Sequence, residues 1–229
     1  MIMIFVLAAA IAAATPSACP DVVTPDAFVC RALDADKAGR HQEAALAFEQ
    51  AAQASYDTDP ATARMWAASG NMWIAAGQAG KAALALDRAL AGIGLQAEQR
   101  GEALLDRARA AEAQNDLKTA RVKITEATQT IAEDPFLWYF SAALAIREND
   151  PATARSAIGR ALTLAPNDPT VLFEAGHVAH FSGDEKGARD YWARSAAADP
   201  NGAAGKAALE AIKMLNPAPT AAASAQPRP

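Results

Sequence analysis

The chain is poor in the side chains on which most enzyme chemistry depends. Its 229 residues include three histidines and two cysteines, and no glycine-rich phosphate loop, GxSxG elbow or HExxH pair occurs anywhere along it. The common motifs of nucleotide binding, serine hydrolysis and zinc proteolysis are therefore missing, and no cofactor is expected. Basic residues are also short. Against 26 Asp and Glu stand 21 Lys and Arg, a net charge of -5, so a nucleic acid is repelled on average and is not an expected partner. One long apolar run exists, MIMIFVLAAAIAAA at residues 1–14. It falls below the roughly 20 apolar residues that a membrane-spanning helix needs. Alanine dominates what remains, and a strand-poor chain with 52% hydrophobic residues is expected to be all-α.

What the sequence does have is a repeat. Asp168 to Pro200 reads as a helical hairpin, with Leu172, Ala175 and Gly176 on a first helix, Gly183-Asp184 at a turn, and Ala188, Trp192 and Ser195 on a second. Upstream of Gly176 the same register holds Ala142, Ala108, Gly70 and Ala32, at steps of 34, 34, 38 and 38. Ala188 is preceded in the same way by Ala154, Ala120, Ala82 and Ala44, and Ser195 by Ala161, Ala127, Ala89 and Ala51. In the second copy Trp66, Gly70, Trp73, Gly77, Ala82, Leu86 and Ala89, with Pro166 and Pro200 closing later copies, resemble the signature of the tetratricopeptide repeat. The resemblance covers residues 25–200 as five repeats. It implies an all-α helix-turn-helix solenoid, a right-handed superhelix that binds other proteins in a concave groove. Gly70, Ala108 and Ala142 are then expected where the two helices of a hairpin touch. All four tryptophans, Trp66, Trp73, Trp138 and Trp192, are expected in the core, and Glu148 on the exposed surface.

Local signals agree with this division. Asp-Pro pairs at 59–60, 134–135, 150–151, 168–169 and 199–200 are expected to start helices, because Asp caps the free N–H groups and Pro gives up a donor that had no partner. The 38-residue steps place extra residues at Tyr56-Asp57-Thr58 and Gly92-Ile93-Gly94. Within residues 201–215, Ala203 to Leu215 reads as a capping helix with Leu209, Ile212 and Leu215 on one face. Residues 216–229, rich in Pro, Ala and Ser, cannot bury enough surface to offset their chain entropy and are expected to be disordered.

At the other end, the apolar run followed by Ala12-x-Ala14 predicts a signal peptide at residues 1–14, although no Lys or Arg precedes the run. Export implies a periplasmic location and an oxidising environment. Cys19 and Cys30 are then expected to form a disulfide that ties an N-terminal arm, residues 15–24, onto the first helix. The alternative is a lipid anchor on Cys19, with Pro16 against it. Abundant alanine and an excess of Arg over Lys fit a GC-rich bacterial genome.

The candidate binding residues follow from the resemblance, which places first helices in the groove. They are Arg64, Asn71 and Arg109, with Glu112, toward one end, and Tyr139, Phe173, His177 and His180, with Phe136, Phe140 and Phe181, toward the other. A clamp for a peptide carboxylate keeps only Asn71 here, and Asp106 stands where that clamp has a basic residue. Glu174, His177 and His180 lie at i, i+3 and i+6 on one helix, a spacing that lets two neighbours share a cation but makes a weak metal site. The expected function is a non-enzymatic scaffold for a protein or peptide partner. A self-associating structural subunit is the alternative, and a metal-dependent enzyme ranks last.

Overall fold

The computed structural model describes residues 19–215. The expected signal peptide, the first residues of the arm and the C-terminal tail lie outside the described residues. Among those described, the chain forms five antiparallel helical hairpins: α1 (Pro25–Lys37) with α2 (His41–Gln53), α3 (Pro60–Ala75) with α4 (Ala79–Ala91), α5 (Ala97–Ala113) with α6 (Leu117–Ala127), α7 (Pro135–Arg147) with α8 (Pro151–Leu164), and α9 (Pro169–Phe181) with α10 (Glu185–Ala198). A single helix, α11 (Ala203–Leu215), packs against α9 and α10 and closes the stack.

Each hairpin reverses on one residue with positive φ. These are Gly39, Gly77, Asn115, Asn149 and Gly183, with φ between 58 and 81°, in one register along the chain. The next residue's N–H bonds back into the last turn of the preceding helix, as from Arg40 to Ala35 (2.9 Å) and from Asp184 to Ala179 (2.9 Å). Only glycine and, at some cost, asparagine take that backbone readily. Helix starts are equally regular. Asp59, Asp134, Asp150 and Asp168 accept N–H bonds just before Pro-initiated helices, and Thr24 does the same for α1. The fifth Asp-Pro pair departs from expectation, since Asp199 ends α10 and α11 begins only at Ala203. The Asp199 carboxylate instead accepts from the Gly202 N–H (2.9 Å), closing a turn over Pro200-Asn201 that ends on a glycine, a residue that disfavours helix.

Every member of the three small-residue series is buried. Built onto Gly70, a Cβ would lie 2.4 Å from Leu86 Cγ, and onto Gly176, 2.2 Å from the Trp192 indole nitrogen. These are the points where the helices of a hairpin meet. Trp66, Trp73 and Trp192 are core residues. Trp138 is only half-buried, because its indole N–H reaches out to the Ala132 carbonyl (2.6 Å) at the turn before α7. Glu148 also differs from expectation. It is partly buried and holds the Arg121 guanidinium (3.0 Å), which also donates to the Ser141 hydroxyl (2.9 Å), so it joins hairpins three and four.

At the N-terminal edge the Cys19–Cys30 disulfide is formed. Arg31 adds hydrogen bonds to the carbonyls of Pro20 (2.7 Å) and Val22 (3.1 Å). Residues 19–24 are thereby held along α1.

Candidate functional site

Among the first helices α3 packs on α5 and α7 on α9, and α9 meets α11, whereas no two second helices pack on each other to the same degree. In a solenoid of this type the first helices lie on the inner side of the stack, and their outward side chains form its concave wall.

A line of polar side chains crosses that wall. Asn71 on α3 donates to the Asp106 carboxylate on α5 (2.8 Å), whose other oxygen accepts from Arg109 (2.9 Å). Beyond it, Arg147 on α7 ion-pairs with Glu112 and bonds the Asn115 side chain (2.8 Å). Tyr139 is half-buried, and burial first, then the charges of Glu174, Asp168 and Asp134, push its hydroxyl above the usual tyrosine range against the opposing pull of Arg109. Charges on α5 and α9, Arg109 and Glu174, thus both act on the Tyr139 hydroxyl of α7. The Glu174 carboxylate is nearly buried, 3.5 Å from His177 Nδ1.

The aromatic candidates fall into two groups. Tyr139 meets Phe136 edge-on, with ring centres 5.6 Å apart. Phe173 and His177 are 4.3 Å apart, and His177 and His180 both lie against Trp192, at 5.6 and 6.0 Å. Phe173, like Ile212 and Leu215 of α11, also packs against the buried cluster around Trp192, so part of its surface is committed to the fold. His180 turns away from Glu174 and bonds Glu185 at the start of α10 (2.9 Å). Glu174, His177 and His180 therefore do not converge, and among the described residues no three His, Cys, Asp or Glu side chains are grouped to hold a metal ion.

Arg64 is exposed and reaches the Gly94 carbonyl (3.5 Å), at the rim of a cavity of about 330 Å³ among α1, α3 and α5. Asp36, Phe48, Met72, Leu95 and Glu102 line it together with Arg64, Asn71 and Asp106. The sequence reading names three of these eight. Glu102 was within reach, since it stands 38 residues after Arg64 in the same register. Phe48 carried no such signal, because it comes from α2 and belongs to the packing of hairpin one. Burial, and then repulsion by Glu98, Asp106 and Asp134, raise the Glu102 carboxyl above its ordinary 4.5.

No protein-family model and no curated protein matches the sequence. Solved structures do. PilW, a widely conserved type IV pilus biogenesis factor, superposes with a TM-score of 0.67 at 16% identity, covering 81% of this chain and 82% of that one. The pilF protein of Pseudomonas aeruginosa gives 0.64 at 16% identity, covering 83% of each chain. YrrB, a TPR protein with an unusual peptide-binding site, gives 0.59 at 14% identity, covering 82% of this chain and 91% of that one. At such identities the likeness concerns the fold, and with the repeat register, the hairpin turns and the stacked first helices it leads to one conclusion: this chain is an all-α solenoid of the tetratricopeptide-repeat type.

Proposed function

We propose that the protein is a non-enzymatic interaction scaffold of the bacterial cell envelope, periplasmic after export, whose concave wall holds a protein or peptide partner. The observation that carries this reading is the continuity of the wall. Side chains of α3 and α5 and of α5 and α7 are joined by polar contacts, α7 packs on α9, and a cavity of about 330 Å³ lies at one end. The peptide-binding site named for YrrB and the pilus role named for PilW support it. So does the Cys19–Cys30 disulfide, which belongs in an oxidising compartment. Aromatic anchors supply much of the affinity at protein interfaces, each worth about 2 kcal/mol or more when truncated. Tyr139→Ala and His177→Ala test the reading through partner capture from an envelope extract and thermal melting. A loss of capture larger than the accompanying loss of melting temperature is expected. Unchanged capture by both variants, or loss that tracks unfolding, places the partner elsewhere.

A self-associating subunit is the second reading, favoured by exposed Leu209 and Met214 on α11. Light scattering on the purified chain separates the two, since a monomer at working concentration removes it.

A further inference from the structure

The cavity among α1, α3 and α5 has a floor and a charge. Phe48, Ala67, Met72 and Leu95 make the floor apolar, while three carboxylates, Asp36, Glu102 and Asp106, face one guanidinium, Arg64. The carboxylates are not equally available. Asp106 already accepts from Asn71 and Arg109, and Asp36 has His41 as a neighbour at 3.4 Å. Glu102 makes no side-chain hydrogen bond or ion pair among the described residues, although Glu98 precedes it and Asp106 follows it at i−4 and i+4 on α5. A stripe of like charge along one helix face repels itself and costs stability, and an opposite charge arriving from a partner relieves it. Burial first, and then repulsion by Glu98, Asp106 and Asp134, raise the Glu102 carboxyl. An anionic peptide end would meet repulsion here.

We propose that this cavity takes a lysine- or arginine-bearing segment of the partner protein, with the cationic head among Glu102, Asp36 and Asp106 and the aliphatic stem over Phe48 and Met72. Long cationic side chains suit such a site because their stems cover apolar surface while the charged heads stay in a polar setting. The complementarity selects among partners and speeds their encounter more than it adds affinity. The proposal rests on the concave wall being the functional face, and it adds the chemistry of one end of the bound segment. Beyond it, along the wall, Tyr139 and Phe136 offer an apolar contact, so the segment carries its charge at the α1 end and bulky apolar residues toward α9.

The test is to pan random-sequence peptides displayed on phage against the full chain, against Asp36→Asn/Glu102→Gln, and against Asp190→Asn/Glu210→Gln. The last pair removes the same charge from exposed positions on α10 and α11, which controls for general attraction to an acidic protein. Lysine and arginine are expected to be enriched among peptides captured by the parent and the control. The enrichment should vanish for the cavity variant, with the best peptide binding it roughly threefold to tenfold more weakly, as two partly exposed charge contacts allow. Captured peptides without a basic excess, or an excess that survives in the cavity variant, overturn the proposal and leave the groove reading standing. Capture of no peptide by the parent overturns both.

Discussion

Replacing Gly176 by alanine adds one methyl group where the structure leaves no room for it. The new Cβ would stand 2.2, 2.3 and 2.7 Å from three atoms of the Trp192 indole, a ring that is buried and whose N–H donates to the Phe173 carbonyl (3.0 Å). Two effects oppose each other. Alanine at a helix interior favours the helix by about 1 kcal/mol over glycine, whereas overpacking a filled site costs about 1–3 kcal/mol. Displacing the indole also weakens a hydrogen bond worth about 1 kcal/mol. The net expectation is a loss of about 1–3 kcal/mol, or about 3–10 °C in melting temperature for a domain of this size. Gly159, exposed on α8 with nothing within 4 Å of a built Cβ, isolates the first effect. Gly159→Ala should raise the melting temperature by about 2–4 °C. Because each hairpin of a solenoid contacts only its neighbours, hydrogen exchange in α9 and α10 should show that the Gly176→Ala loss is concentrated there. Gly176→Ala melting at or above the parent, with unchanged exchange, would refute the packing of Trp192 over this glycine.

Two further outcomes follow from the ends and turns of the helices. The Cys19–Cys30 bond closes a short loop, and the chain-entropy estimate gives it roughly 3 kcal/mol; Cys30→Ser should speed hydrogen exchange in residues 19–24 and the first turns of α1, and intact mass of exported protein should show both thiols oxidised. The Thr153 hydroxyl first, then the Thr153 and Ala152 N–H groups, hold the Asp150 carboxyl below its ordinary 3.8, and Thr119 does the same for Asp116. A depressed carboxyl contributes stability that is fully present above the unfolded value and is lost as pH falls through the folded one. Thr153→Val should therefore move the Asp150 titration, followed by NMR, up toward 3.8, and it should shrink the loss of stability on acidification. An unmoved titration contradicts the assignment.

Much of the fold could be read in advance because repeats repeat their physics. Gly176, Ala142, Ala108 and Gly70 are small for one reason, the close approach of two helices, and a shared reason leaves a shared register. The turn at Asn115 and Asn149 was harder to see, since asparagine can hold a left-handed backbone but seldom announces it as glycine does. Asp199-Pro200 misled because its capping chemistry is the same as at the other four pairs, and the outcome was decided two residues later by Gly202.

The site was less legible for a different reason. Its charges act across space, and the helices that bring Asp36, Arg64, Glu102 and Asp106 to one cavity are separated by whole repeats along the chain. The repeat register says that these positions face one wall, but a register carries no sign of charge. Asp106 illustrates the gap. Taken alone it marks only the failure of a basic clamp, while in the folded wall it is the residue that Asn71 and Arg109 converge upon. Glu102 then becomes the cavity carboxylate without a side-chain partner among the described residues. The same substitution that weakens one family trait thus leaves the cavity negative, and a negative cavity with an apolar floor favours a partner of opposite charge.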